Sequence, residues 1–176
     1  MHPGIVIRAA QADDLPAIRA IFNDVIATST AVYYFEPTTL EERTAWFATR
    51  TTAGFPVLVA ERDGVTVGFS SFAEFRGAWP GYRYSVEHSV HVHAAHRGRG
   101  VGSALVAALF PLAVAQGKHV MIGGVDAANA ASVRMHERLG FEQVARFREV
   151  GHKFGRWLDL IFLQRFLDCP GAPRTS

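Results

Sequence analysis

Two stretches of this sequence carry residue types and spacings suited to chemistry. The first is Val90-His91-Val92-His93-Ala94-Ala95-His96-Arg97-Gly98-Arg99-Gly100-Val101-Gly102, a β-prone run, a short polar turn and a glycine-rich entry to an apolar segment. At a helix N-terminus the first N–H groups lack internal partners and the macrodipole favours an anion. Glycines there let a bulky pyrophosphate approach the backbone, and Arg97 and Arg99 add charge-assisted donors. As an isolated Gly-x-Gly the turn would equally be a packed helix entry. Two other phosphate motifs do not fit, because the third-glycine offset of the dinucleotide fingerprint is missing and no Gly-Lys-Ser/Thr follows. The second stretch holds Glu87, a carboxylate that interrupts a β-prone run just ahead of the turn. Beside it, His88, His91, His93 and His96 invite a metal reading. On a strand His91 and His93 share one face and His88 takes the other, and no carboxylate or Cys completes a site, so no metal is expected.

The surrounding pattern supplies elements to position these groups. Ile5 to Ala9 is β-prone; Asp13 and Asp14 offer N-cap oxygens, and Pro16 falls in the first turn of a helix carrying Leu15, Ile18, Ile21, Phe22, Val25 and Ile26 on one face. Thr39-Leu40-Glu41-Glu42 reads as a capping box opening a second helix. Between them Tyr33, Tyr34, Phe35 and Glu36 form an aromatic loop, either a lid or a pocket wall. Pro56 to Arg62 and Val65 to Phe75 are strands joined at Asp63-Gly64, a hairpin signal. Then follow a loop over Arg76 to Tyr84, a strand Ser85 to His93, a helix Val101 to Gln116 and a strand Val120 to Val125. A helix Ala130 to Leu139 closes at Gly140, and two paired strands lie near Val144 to Gly151 and Leu158 to Phe166. This order gives an α/β (α+β) mixed sheet with helices on its faces.

Composition agrees with one domain, residues 5–167, and a frayed tail, residues 168–176. With 49% hydrophobic and 19% charged residues, the chain has material for a full core and is not a disordered segment. The best apolar run, Val101 to Ala115, holds Ser103 and Pro111 and falls short of the roughly 20 residues a bilayer needs, so no membrane partner is expected. A net charge of +2 with dispersed arginines gives no nucleic-acid footprint. Cys169 stands alone, and no cationic-then-apolar stretch opens the chain, so a cytoplasmic protein is the expectation.

Arg97-Gly98-Arg99-Gly100-Val101-Gly102 resembles the acetyl-CoA motif of the GCN5-related N-acetyltransferases, Gln/Arg-x-x-Gly-x-Gly/Ala. A second block agrees, with Asn129 opening a helix that runs through Ser132 to Leu139-Gly140-Phe141. Closer still, Val86-Glu87-His88-Ser89-Val90-His91-Val92, Ser132-Val133-Arg134-Met135-His136-Glu137 and Gly151-His152-Lys153-Phe154-Gly155-Arg156-Trp157-Leu158-Asp159 are similar to the phosphinothricin and methionine sulfoximine N-acetyltransferases. The resemblance covers about residues 5–167. It implies a twisted, mixed, mostly antiparallel sheet flanked by helices, acetyl-CoA as cosubstrate, a small amino-acid-like acceptor and a homodimer.

Acetyl transfer to an amine requires removal of an ammonium proton, and an α-ammonium has a pKa of about 8. Glu87 is the candidate base, because burial there would raise its pKa toward the working range. Spacing alone fits a solvated surface Glu equally well; the resemblance favours the base. The resemblance also implies a splayed or bulged strand over Ser89 to Val92, whose backbone would pair with the pantetheine arm and polarise the thioester carbonyl. His136 stands where many relatives have a Tyr that protonates the thiolate; a neutral His could donate or orient substrate, or bond a backbone carbonyl. Asn129 and Ser132 would contact the cofactor. For the acceptor, Phe75, Arg76, Tyr82 and Arg83, with Val86 and His88 beside Glu87, offer a bidentate Arg for a carboxylate and aromatic walls. Two other functions compete, a protein N-terminal or lysine acetyltransferase and a non-catalytic CoA-binding sensor. The aromatic loops argue against the first, and the joint presence of Glu87 and His136 against the second.

Overall fold

The computed structural model describes residues 4–167, so the expected frayed tail lies outside the described residues. Seven strands form one sheet: β1 (Val6–Ala9), β2 (Val57–Arg62), β3 (Val65–Glu74), β4 (Ser85–Val92), β5 (Val120–Asp126), β6 (Glu142–Lys153) and β7 (Arg156–Phe166). Their spatial order is β1-β2-β3-β4-β5-β7-β6. Every neighbouring pair is antiparallel except β4 and β5, which run parallel. The helices are α1 (Leu15–Thr28), α2 (Leu40–Thr52), α3 (Val101–Ala115) and α4 (Ala130–Arg138).

Local chemistry explains most of the boundaries. Thr39 caps α2, its Oγ1 accepting from Glu42 N at 3.1 Å while Glu42 Oε2 accepts from Thr39 N at 2.7 Å. Asp63 and Gly64 both have positive φ, 50° and 77°, as the tight β2–β3 turn requires. Phe154 and Gly155 repeat that turn with φ of 51° and 72°, which lets pairing continue to Lys153 and Arg156. The closing strands are therefore longer than the apolar pattern indicates. Asp14 precedes α1 but does not cap it. Its buried carboxylate instead accepts from Arg8, at 2.7 and 2.9 Å, from Gln11 N and from Thr66 Oγ1.

Two apolar layers sandwich the sheet. Leu15, Ile18, Ile21, Phe22 and Ile26 of α1 meet Val57, Val59 and Phe69 on one face. Val101, Leu105, Val106 and Leu109 of α3 meet Leu58, Phe72, Val86 and Met121 on the other. Each fully buried side chain of this size contributes roughly 1.5–3 kcal/mol. The layers matter for function because they clamp β4 from both sides up to the point where the sheet opens.

Candidate active site

Pairing between β4 and β5 runs from Ser85–Val120 to His88–Gly123 and stops there, although β4 continues to Val92 and β5 to Asp126. The two strands splay, leaving the β5-facing backbone of β4 beyond His88 without a strand partner. A cleft of about 200 Å³ fills the opening, lined by Glu87 to His91 on one side and Gly124 to Asp126 on the other, with Asn129, Ser132 and His136 of the α4 region closing one end. An extended ligand can add itself to an open strand edge of this kind.

Alternation along β4 sends successive side chains to opposite faces. Glu87, Ser89 and His91 lie opposite Ala73, Ser71 and Phe69 of β3, toward α1 and α2. Glu87 reaches over β5, where its Oε1 stands 3.3 Å from the place a Cβ on Gly124 would occupy. The open cleft leaves Glu87 accessible to solvent, yet surrounding protein on its other sides pushes the carboxyl above its ordinary pKa, with Arg50 opposing. His91 packs into the core, 5.3 Å from the Phe22 ring and 5.0 Å from the Phe69 ring. Burial, with Arg43 and Arg97 nearby, lowers its pKa to about 4. Its N–H and C=O, like those of Ser85 and His93, turn to β3, so the opening is offered the backbone groups of Val90 and Val92.

Val86 and His88 point the other way. Val86 is wholly buried against the α3 layer, so the structure corrects its expected place beside a substrate. His88 meets His136, Nε2 to Nε2 at 3.1 Å, with the rings stacked. His136 Nδ1 lies 2.7 Å from the Ser132 carbonyl, which can only accept, so Nδ1 carries the proton. Nε2 of His136 is then a lone pair and His88 Nε2–H donates to it. His88 Nδ1 is buried without a partner among the described residues. Burial lowers both pKa values, His88 to about 3, so the pair is neutral. His136 borders the cleft, but both its ring nitrogens are engaged inside the protein, unlike a free donor to a departing thiolate.

The glycine-rich turn combines strain-free bends with a helix start. Gly98 and Gly100 have φ of 72° and 78°, a region that glycine enters without cost, and Gly100 is the N-cap of α3. Gly102 lies close under Met135 of α4, where a Cβ would stand 3.1 Å from the sulfur. Arg97 donates from Nε to the Val92 carbonyl at 3.0 Å and pairs with Asp24 at 3.3 Å, which ties the turn to β4 and α1. Arg99 is exposed. The first amides of α3, at Val101 and Gly102, have no intrahelical partner. Asn129 caps α4, its Oδ1 accepting from Ser132 N at 3.1 Å.

Among the residues expected to meet the acceptor, Phe75 packs edge-on against Tyr82 and Phe162, and Phe162 stands 3.5 Å from the Cβ position of Gly124. Arg76 lies over the Tyr82 ring and Arg83 over the Tyr84 ring, Arg83 also donating to the Pro80 carbonyl; both are exposed. Of the loop between α1 and α2, Ala31 and Val32 line the cleft, and none of Tyr33 to Glu36 does. Tyr33 turns away and lays its ring where a Cβ on Gly151 would stand, Tyr34 packs on Phe22, and Phe35 is exposed. Lys153 is buried and donates from Nζ to the Ser29 and Val32 carbonyls, both at 2.8 Å, while Thr30 Oγ1 donates to Asp126. Those bonds fix the wall. Neither Lys153 nor the adjacent Gly123 and Gly124 stood out as functional in the sequence. The available signal was two glycines in a β-prone run, which marks close approach of other groups.

The model of the acetyltransferase (GNAT) family matches residues 18–141. The L-methionine sulfoximine/L-methionine sulfone acetyltransferase of Salmonella typhimurium is 44% identical over 96% of this chain and 98% of its own length. The phosphinothricin N-acetyltransferase of Alcaligenes faecalis is 37% identical over 92% and 82%. Among solved structures, an acetyltransferase from Salmonella typhimurium with its cofactor acetyl-CoA superposes with a TM-score of 0.92 at 43% identity, covering 98% of this chain and 99% of that one. A ribosomal-protein-alanine N-acetyltransferase from Brucella melitensis gives 0.90 at 45%, covering 92% and 99%. A splayed β4–β5 pair beside a glycine-rich helix entry thus sits in a chain that belongs to the GNAT acetyltransferase family. It is an N-acetyltransferase, as its relatives are.

Proposed function

We propose that this protein transfers acetyl from acetyl-CoA to the α-amino group of a small amino acid of the methionine sulfoximine, methionine sulfone or phosphinothricin type, directly and with Glu87 as general base. The observation that carries the reading is the position of Glu87 over Gly124 at the closed end of the splay. Acetyl-CoA supplies an activated acetyl thioester. The residues present fit it: the backbone of Ser89 to Val92 has no strand partner on its β5 side, which leaves an edge for an extended arm, and the turn Arg97 to Gly102 presents glycines and helix amides to a pyrophosphate. Asn129 and Ser132 border the same opening. Open β4 amides are the donors for the thioester carbonyl.

Glu87 takes the ammonium proton, directly or through water. A carboxyl raised by its surroundings is a stronger base than an ordinary surface Glu, nearer the pKa an amine demands. The neutral His88–His136 pair holds α4 against β4 at the vertex, so His136 is a positioning residue here. Phe75, Tyr82 and Phe162 form the aromatic side of the acceptor pocket. A homodimer and a cytoplasmic location complete the reading; exposed Phe147, Phe154 and Trp157 on the β6–β7 hairpin are the apolar surface a second copy would cover. The test is acetyl-CoA consumption over free amino acids, their α-amides and short peptides. Free methionine sulfoximine, methionine sulfone or phosphinothricin should rank among the best acceptors. Far better turnover of peptides would replace this reading with protein acetylation.

A further inference from the structure

A free amino acid brings a carboxylate as well as an amine, and a single carbon separates the two. Whatever cation receives the carboxylate must therefore stand near Glu87 without neutralising it. Arg76 and Arg83 are both engaged with tyrosine rings at the exposed margin.

Arg50 is placed differently. Residues 43, 46 and 50 of α2 recur at helical spacing and face the sheet. Arg43 stacks on Phe22 and Trp46, and Trp46 packs on Phe69, which pairs with His91 on β4. After α2 the chain enters β2 at Val57, level with Ser71, whose partner on β4 is Ser89. The C-terminal end of α2 thus lies toward Glu87 and the N-terminal end toward His91. Arg50, one turn beyond Trp46, occupies the Glu87 end of that face. Its guanidinium is half-buried and makes no hydrogen bond, ion pair or ring contact among the described residues. Glu87 and Arg50 feel each other's charge, yet they do not form an ion pair. A cation held near a base, half-shielded and with its donor fork free of protein partners among the described residues, is available to a carboxylate.

Resting on the amino-acid reading above, we infer that Arg50 is the anchor for the substrate α-carboxylate, holding it bidentately while Glu87 faces the amine on the same carbon. Arg76 and Arg83 then shape the outer rim. The residue becomes a selector for free amino acids over amides and peptides, which lack a charged group at that point.

The experiment compares each acceptor with its α-amide in wild type, Arg50→Met and Arg50→Lys, alongside Arg76→Met and Arg83→Met. Calorimetric titration with acetyl-CoA serves as the control for folding. Arg50→Met should keep wild-type acetyl-CoA affinity, raise KM for the free amino acid about 10- to 100-fold and leave the poor KM of the amide unchanged, so that discrimination collapses. Arg50→Lys keeps charge but not the fork, and its discrimination should be intermediate. If Arg50→Met fails to bind acetyl-CoA, the lysine variant decides. Wild-type discrimination in the Arg50 variants, or its collapse in Arg76→Met or Arg83→Met instead, overturns the inference and leaves the amino-acid reading standing. So does an equal loss for acid and amide with a shifted pH profile, since Arg50 would then only tune Glu87. A wild type that itself ignores the carboxylate refutes both.

Discussion

Glu87 on β4 and Gly124 on β5 form a matched pair: the carboxylate lies closely over position 124, where the missing side chain leaves it room. A Cβ there would stand 3.3 Å from Oε1, so the carboxylate would have to give by a few tenths of an ångström, and 3.5 Å from the Phe162 ring, an ordinary contact. Its neighbour Gly123 does the same on the opposite face, beneath His88 and His136.

Gly124→Val should therefore displace Glu87 by a substantial part of an ångström and lower kcat about 10²-fold, the scale of a misplaced catalytic group. Because the turn Arg97 to Gly102 that would receive the pyrophosphate is untouched, acetyl-CoA affinity should change far less. Parallel steady-state kinetics and calorimetry would separate the two; a variant with wild-type kcat would mean that Glu87 is not held by this contact.

The histidine pair makes a pH prediction. Burial depresses His88 to about 3, below its unfolded value of about 6.5, so the unfolded chain binds more protons between those limits. The stability contributed is full above about 6.5 and is lost as pH falls toward 3. Denaturant melts should show wild type weakening through this window, with a shallower slope in His88→Phe. Equal slopes would show that His88 is not the group that titrates.

The legible parts of this chain were local ones. Asp63-Gly64 and the Thr39–Glu42 box declare themselves within four residues, and the glycine turn at Arg97 to Gly102 carries its own backbone requirements. The face of β4 was harder. Glu87 and His88 are adjacent in sequence, and only packing of α3 and α4 on one side and α1 and α2 on the other assigns Val86 and His88 to the interior. Lys153 reaches the Ser29 carbonyl across 124 positions of chain, and no local pattern encodes such a contact. Asp14 reads as an N-cap by type and position, but Arg8 and Thr66 outcompete the helix end for its oxygens.

That last contact predicts acid sensitivity. The Arg8 guanidinium, with the Gln11 amide and Thr66 hydroxyl, lowers the Asp14 pKa to about 2. A depressed carboxyl contributes stability that is present above its unfolded value of about 4 and lost as pH falls through about 2. Asp14→Asn should cost about 1–3 kcal/mol at pH 7, where Arg8 keeps only Glu61 as a charged partner, and progressively less as the pH is lowered. Urea melts of both proteins across pH 7 to 2.5 check it; a constant difference would contradict the assignment.

The proposed mechanism depends most heavily on Glu87 as the base, and Glu87→Gln tests that role directly. Gln keeps the shape over Gly124 and removes the basicity. With acetyl-CoA and methionine sulfoximine at pH 7, turnover should fall about 10²- to 10⁴-fold, with acetyl-CoA affinity kept and the deficit narrowing at high pH, where the amine is already neutral. Because its surroundings raise this carboxyl's pKa, its ionised form destabilises the fold as pH rises, so the same variant should be more stable than wild type at neutral pH. Wild-type turnover at pH 7 in a correctly folded Glu87→Gln protein would contradict the mechanism.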